Sequence, residues 1–266
     1  MKKIIALTTF FCYITTFYAQ NFIIPLSDDG EANLYAFLPE QPTGRAIVAI
    51  PGGGYKNTSI DNYIPWAKEF NEMGITFFCV KYRMPEGDRT IPIGDAEAAF
   101  KMVRDSASVW NINPKDIGVM GASAGGHLAT TIVTHSEEAL RPNFQILFYP
   151  VITFGEGCHK GSRDRFLGEG KDDEKLIEEY SNEKQVTKAT PPAIILVNSD
   201  DKTVPPIENS IAYYDAMLRH HCNASLHIYP SGGHSRTYNP DNPFHEAIVN
   251  EVKTWLNRLA ELKAKN

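Results

Sequence analysis

Ser123 stands in the pattern G-x-S-x-G, within Gly121-Ala122-Ser123-Ala124-Gly125. An apolar run, Ile117-Gly118-Val119-Met120, leads into it, and small or apolar residues follow it from Gly126 to Val133. A serine between a strand and a helix must sit on a sharp turn, which the chain can make only where neighbouring side chains are small or missing. Such a turn lifts the hydroxyl off the backbone and aims the amide of Ala124 into the same space. The chemistry that suits it is nucleophilic attack, with Ser123 as nucleophile. A glycine-rich turn without any catalytic role fits the same three letters, so the partners of a reacting serine have to be found elsewhere in the chain.

One partner is a set of donors for the negative oxygen that forms when an ester or amide carbonyl is attacked. Arg45-Ala46-Ile47-Val48-Ala49-Ile50 reads as a buried strand and runs directly into Pro51-Gly52-Gly53-Gly54-Tyr55. Three successive glycines let backbone N–H groups approach an oxyanion without steric cost. Gly53 or Gly54, together with Ala124, is expected to supply the donors; the spacing leaves open which glycine.

The other partners are a carboxylate and an imidazole on loops after later strands. Ala193-Ile194-Ile195-Leu196-Val197 is strand-like and is followed by Asn198-Ser199-Asp200-Asp201-Lys202-Thr203-Val204-Pro205-Pro206. Asp200 and Asp201 compete; Asp201, which opens a D-x-x-V-P stretch turning the chain into the next helix, is the stronger candidate. Ser225-Leu226-His227-Ile228-Tyr229 then forms a strand that empties into Pro230-Ser231-Gly232-Gly233-His234. A histidine there can reach Ser123 with one ring nitrogen while the carboxylate holds the other. Among eight histidines, His234 alone combines a post-strand position with the chain order Ser, Asp, His. His127 reads as a packing or capping residue of the helix after the serine, His227 as a strand residue, and His135, His159, His220, His221 and His245 as surface residues.

The segments PGGGY, VKYRM, Ile117 to Met120 with GASAGGHLA, TPPAIILVNSDDKTVPP and HIYPSGGH together resemble the α/β-hydrolase esterases. More narrowly they are similar to bacterial acetyl xylan esterases and feruloyl-esterase-like enzymes, and more distantly to hormone-sensitive-lipase-type esterases. The resemblance runs from about Arg45 to Leu259. It implies an α/β-hydrolase fold, with Ser123 as nucleophile, His234 as general base and then acid, Asp201 as orienting carboxylate, and Gly53 and Ala124 in the oxyanion hole. It implies a serine esterase acting on acetyl or feruloyl groups of a polysaccharide such as xylan, with an exported peptidase or a short-acyl lipase-like esterase as alternatives. Two positions depart from the pattern: Pro51 stands where lipase-like relatives often carry histidine, and Ser235 follows His234 where a further glycine is frequent.

These loops need a scaffold. Ile75 to Lys81 reads as a strand, Ala96 to Val109 as a helix with Ala99, Met102 and Val103 on one face and Asp95 as its N-cap, and Asn143 to Tyr149 as a strand. Strands alternating with helices imply a mostly parallel sheet, helices on both faces, and a site at the carboxyl ends of the strands. One or two antiparallel strands are expected within Asn21 to Leu38. Between Tyr149 and Pro191 a polar, glycine-containing excursion, with a helix near Asp173 to Tyr180, reads as a small cap bordering the site. Tyr55, Trp66 and the Tyr213-Tyr214 pair offer flat surfaces for sugars, although aromatic residues more often simply pack.

The 266 residues suit a single catalytic domain over residues 20–266. Residues 1–19 begin with Lys2 and Lys3, continue as an apolar or uncharged stretch and end at Ala19, which reads as a secretory signal peptide and predicts export to the periplasm or beyond. The stretch is shorter than the ~20 apolar residues of a membrane span. The net charge of −6, with no basic stripe, gives no footprint for nucleic acid. No C-x-x-C or H-E-x-x-H occurs, so no metal and no cofactor is expected. Cys79 reads as a core residue, and one disulfide is possible among Cys79, Cys158 and Cys222. The expected partner is an acylated oligosaccharide or polysaccharide; oligomeric state is not legible.

Overall fold

The computed structural model describes residues 20–235 and 238–264; the leader expected over 1–19 lies outside them. The strands are β1 (Gln20–Pro25), β2 (Asn33–Leu38), β3 (Ala46–Ile50), β4 (Thr76–Lys81), β5 (Ile117–Ala122), β6 (Gln145–Phe148), β7 (Ala193–Asn198) and β8 (Ala224–Tyr229). The helices are α1 (Ile64–Glu72), α2 (Thr90–Asp105), α3 (Ala124–His135), α4 (Lys160–Leu167), α5 (Glu174–Glu179), α6 (Ala212–Arg219) and α7 (His245–Ala264). One sheet runs β1-β2-β4-β3-β5-β6-β7-β8. Its β1–β2 and β2–β4 pairs are antiparallel, and every pair from β4 to β8 is parallel. This is the α/β-hydrolase fold.

A parallel strand covered on both faces must be apolar throughout, and β3 is buried at all five positions. Ile47 and Ala49 face a core with Trp66 and Phe70 of α1 and Val252 and Leu256 of α7. Ala46, Val48 and Ile50 face the opposite core, with Ala96 and Phe100 of α2, Leu128 and Ile132 of α3, and Tyr213 and Met217 of α6.

The parallel register aligns the carboxyl ends of the strands. Ile50 pairs with Gly121, Ala122 with Phe148, Phe148 with Leu196, and Asn198 with Tyr229. The residues that follow, Pro51 to Tyr55, Ser123, Tyr149, Ser199 to Asp201 and Pro230 to His234, therefore leave the sheet along one edge.

Asp95 is not the N-cap of α2. The helix begins five residues earlier, where the Asp88 carboxylate accepts both the amide of Thr90 (2.9 Å) and its hydroxyl (2.6 Å). Asp95 lies in the second turn, buried, and takes a forked contact from the Arg83 guanidinium at 2.7–3.2 Å. Pro92 conceals the true start, since a proline is tolerated in the first turn of a helix. Cys79, Cys158 and Cys222 are all free thiols.

The excursion after β6 folds into α4, a 3₁₀ segment (Gly168–Asp172), α5 and a second 3₁₀ segment (Asn182–Gln185). It is fastened to the body at several points. The Gly87 amide donates to the carbonyl of Arg165 (3.2 Å), Asn182 Nδ2 donates to Thr130 Oγ1 (2.8 Å), and His127 Nε2 donates to the carbonyl of Tyr180 (2.9 Å). Because a carbonyl can only accept, the Nε2 position of His127 carries the proton, and Nδ1 accepts from the Tyr55 hydroxyl at 2.9 Å. His127 is buried and stacked on Phe154 at 4.0 Å between ring centres. Burial holds its pKa down to about 3, outweighing the carbonyl bond that favours the charged form.

Candidate active site

Ser123 occupies the turn between β5 and α3 with φ +54° and ψ −125°. A side chain rarely adopts that conformation, and holding it costs about 1–3 kcal/mol. Contacts on both sides enforce it. The Ser123 amide donates to the carbonyl of Phe148 (3.1 Å), and the Ser123 carbonyl accepts from Gly126, His127 and Val151. Gly125 passes so close to the end of β3 that an added Cβ would lie 2.1 Å from the carbonyl oxygen of Ile50. The strand that leads to the triple glycine thus touches the turn that carries the serine.

His234 Nε2 lies 2.8 Å from Ser123 Oγ, and His234 Nδ1 lies 2.7 Å from Asp201 Oδ2. Asp201 Oδ1 accepts the amides of Thr203 (2.9 Å) and Val204 (3.0 Å), so each carboxylate oxygen has its own partners and the buried group is fixed. An ionised carboxylate is an acceptor only. It therefore sets the proton on Nδ1 and leaves Nε2 free to accept from the serine hydroxyl. The Tyr149 ring meets the imidazole edge-on at 4.7 Å.

The two candidate aspartates have separate places. Asp200 does not reach the ring; its carboxylate accepts the amides of Gly233 (2.7 Å) and Gly232 (3.3 Å). Asn198 Nδ2 adds a bond to the carbonyl of Gly233 at 2.8 Å. The loop before His234 is thereby tied to the loop after β7 on both sides.

Gly53 and Gly54 have positive φ, +130° and +64°. A side chain at Gly53 would lie 1.9 Å from the carbonyl oxygen of Asn57, so the loop is wound too tightly for any other residue. Among the described residues, the amides of Gly53, Gly54 and Ala124 donate to no protein acceptor. All three stand beside Ser123: Gly53 and Gly54 line its cleft, and Ala124 follows it in the chain.

The cleft has a volume of about 480 Å³. Besides Ser123, His234 and the glycine loop, Lys56, Asn57, Tyr149, His159, Arg165 and Thr203 border it. A larger cavity of about 730 Å³, between Phe37, Thr43, Ala67 and Gly74, contains none of these groups. Chemistry rather than size distinguishes the two. Among the described residues no cluster of ligating side chains could hold a metal.

Several residues of the cleft are not legible from local pattern. His159 is not a surface residue but part of the wall, and Arg165 Nη1 donates to the carbonyls of Gly54 and Gly161, both at 3.0 Å. His159 is the N-cap of α4 and Arg165 lies within it; the only buried residues of that helix are Ser162, Phe166 and Leu167, too few to make an apolar stripe. The aromatic surfaces expected for sugars are packed instead: Tyr55, Trp66 and Tyr213 are at most 1 % exposed.

With this geometry in place, comparison with known proteins gives the family. The chain belongs to the α/β-hydrolase fold family, whose profile matches residues 47–246. It is similar to an acetylxylan esterase of Xylanibacter ruminicola, with 50% identity over 242 residues, 90% of this chain and 50% of that protein. It is also similar to endo-1,4-beta-xylanase B of Butyrivibrio fibrisolvens, with 32% identity over 228 residues, 80% of this chain and 36% of that protein. The chain therefore spans half or less of the length of these curated relatives. Among solved structures, an acetyl ester-xyloside bifunctional hydrolase from Caldicellulosiruptor lactoaceticus superposes with a TM-score of 0.83 at 29% identity, covering 90% of this chain and 96% of that one.

Proposed function

We propose that this chain is a serine esterase that removes acyl groups, acetyl or feruloyl, from xylan-type polysaccharide. The observation that carries the proposal is the unbroken chain of contacts from Ser123 Oγ through the His234 ring to Asp201, at 2.8 and 2.7 Å. The likeness to an acetylxylan esterase over nine-tenths of the chain supports the substrate class.

Each group has a defined task. His234 Nε2 accepts the Ser123 proton as Oγ attacks the ester carbonyl. The amides of Ala124 and of Gly53 or Gly54 hold the oxyanion, and Asp201 stabilises the imidazolium. Collapse of the tetrahedral species breaks the bond to the sugar oxygen, which takes the proton from His234. Water, deprotonated by the same imidazole, then releases the acid and restores Ser123. No step calls for a metal or cofactor.

The one domain reads as residues 20–266, with 1–19 as a signal peptide and the reaction outside the cytoplasm. Lys2 and Lys3 followed by an apolar stretch support that reading. The deciding experiment is acetate and ferulate release from natural xylans by the purified protein, beside p-nitrophenyl acetate and a proline-peptide anilide. Release of acetate or ferulate is the expected result. Cleavage of the anilide alone would reject the esterase reading.

A further inference from the structure

His159 is a titratable residue of the cleft wall whose chemistry the triad and the glycine loop do not use. It precedes α4 as its N-cap, and its Nδ1 accepts from the amide of Ser162 at 3.2 Å. An amide N–H can only donate, so Nδ1 carries no proton, and the Ser162 hydroxyl at 2.8 Å donates to the same atom. The proton of the neutral ring is therefore on Nε2. Burial lowers the pKa of His159 below the ordinary histidine value, and nearby His234 and Arg165 lower it further, against the opposing charge of Asp201. The ring cannot turn over to exchange its nitrogens without breaking the cap of α4.

His159 lines the cleft, and with Nδ1 committed to its own helix the Nε2–H is the polar group the ring has left to offer there. Cε1 lies 3.6 Å from the point where a side chain at Gly54 would begin. Among the described residues Nε2–H has no protein acceptor. The cleft thus holds a permanent donor on its cap wall, beside the oxyanion loop. The carbonyl oxygen of an ester is already served by the amides, and the bridging oxygen faces His234 Nε2. Two fragments remain, the acyl chain and the alcohol; an acetyl methyl offers no acceptor, so the fragment that can pair with His159 in an acetyl ester is the alcohol. A plain alkyl alcohol would offer the donor no acceptor of its own, so the hydrogen bond that a sugar hydroxyl makes there would be missing. A sugar carries a hydroxyl on the carbon next to the ester.

We infer that His159 is a specificity-determining residue whose Nε2–H donates to the hydroxyl vicinal to the scissile ester. The inference rests on the carbohydrate-esterase reading above and names which part of that substrate is recognised. It selects monoesters of vicinal diols, such as acetylated xylosyl units, over simple alkyl esters.

The test compares methyl 2-O-acetyl-β-D-xyloside with its 3-deoxy analogue, which lacks the only vicinal hydroxyl. Wild type should favour the first by about fivefold in kcat/KM, the range of one hydrogen bond. His159→Asn, which preserves an N-cap acceptor but does not reach as far, and His159→Leu should both bring that ratio to about one. The ratio is taken within each enzyme, so a general loss of activity or a loosened α4 cancels; thermal melting reports folding separately. A wild type that treats both substrates alike, or a ratio that survives in both variants, overturns the role of His159 while leaving the esterase reading intact. A wild type that hydrolyses neither substrate but does cleave p-nitrophenyl acetate removes the sugar-ester reading and the inference with it.

Discussion

Asp200 Oδ1 accepts the amide of Gly233 at 2.7 Å, one residue before the histidine whose ring its neighbour Asp201 holds. Adjacent carboxylates thus divide two tasks: one fastens the backbone of a loop, the other sets the tautomer of the side chain at its tip. Their loss should have very different consequences. Asp201→Asn is expected to lower kcat by about 10⁴-fold, because an amide can no longer enforce a proton on Nδ1. Asp200→Asn should cost roughly tenfold or less, since one loop tie of ordinary strength weakens while Asn198 still holds Gly233. Steady-state kinetics on p-nitrophenyl acetate would decide, and equal losses would refute the division.

Ser123→Ala should remove on the order of 10⁶ in kcat, as in other serine triads. It should also abolish labelling by a fluorophosphonate probe, which the wild type should take up at one site. A variant retaining a tenth of the esterase activity would show that another nucleophile does the work.

Gly53→Ala addresses the oxyanion loop. Its methyl group would collide with the carbonyl of Asn57, at 1.9 Å, and force the loop to unwind. The expected outcome is a 10²–10³-fold fall in kcat with little change in KM, the range seen when an oxyanion donor is lost. A change confined to KM would place the loop outside the transition-state contacts.

His127 predicts how stability varies with pH. Its pKa is near 3 in the folded protein and about 6.5 when unfolded, so the unfolded chain binds more protons between those values. The stabilisation from the neutral ring is complete above about pH 6.5 and is lost as the pH falls toward 3, to the extent of a few kcal/mol. His127→Phe keeps a stacking ring but leaves the Tyr55 hydroxyl and Tyr180 carbonyl without this partner, which should cost about 1–3 kcal/mol at neutral pH. Urea midpoints at pH 7, 5.5 and 4.5 should show the gap between variant and wild type narrowing with acid. A gap independent of pH would rule out the buried neutral ring as its source.

Residues at strand ends were the legible part of this molecule. Pro51 to Tyr55, Ser123, Asp201 and His234 each follow a short apolar run, and a parallel register delivers such positions to one edge whatever the sequence between them. Asp95 looks like a cap in the sequence because its partner, Arg83, reaches it only after β4 and α2 have packed. His159 is hidden for a related reason: α4 is polar along most of its length and joins the cleft wall through distant contacts, Arg165 to Gly54 and Gly87 and Phe166 to Tyr55. Tyr55 and Trp66 show the converse, since aromatic residues suited to a sugar platform are consumed by the core. Local pattern reports what a segment is; it is silent on which distant segment will lean against it.

The left-handed turn at residue 123 bears on how this chain would change over generations. Holding a side chain in that conformation takes about 1–3 kcal/mol from a domain whose whole margin is on the order of 5–15 kcal/mol. Glycine would adopt the same turn without penalty. A descendant kept only for its shape would gain stability by exchanging Ser123 for glycine, which removes the strained Cβ together with the hydroxyl, so a glycine at this one codon would mark a lineage that has abandoned hydrolysis.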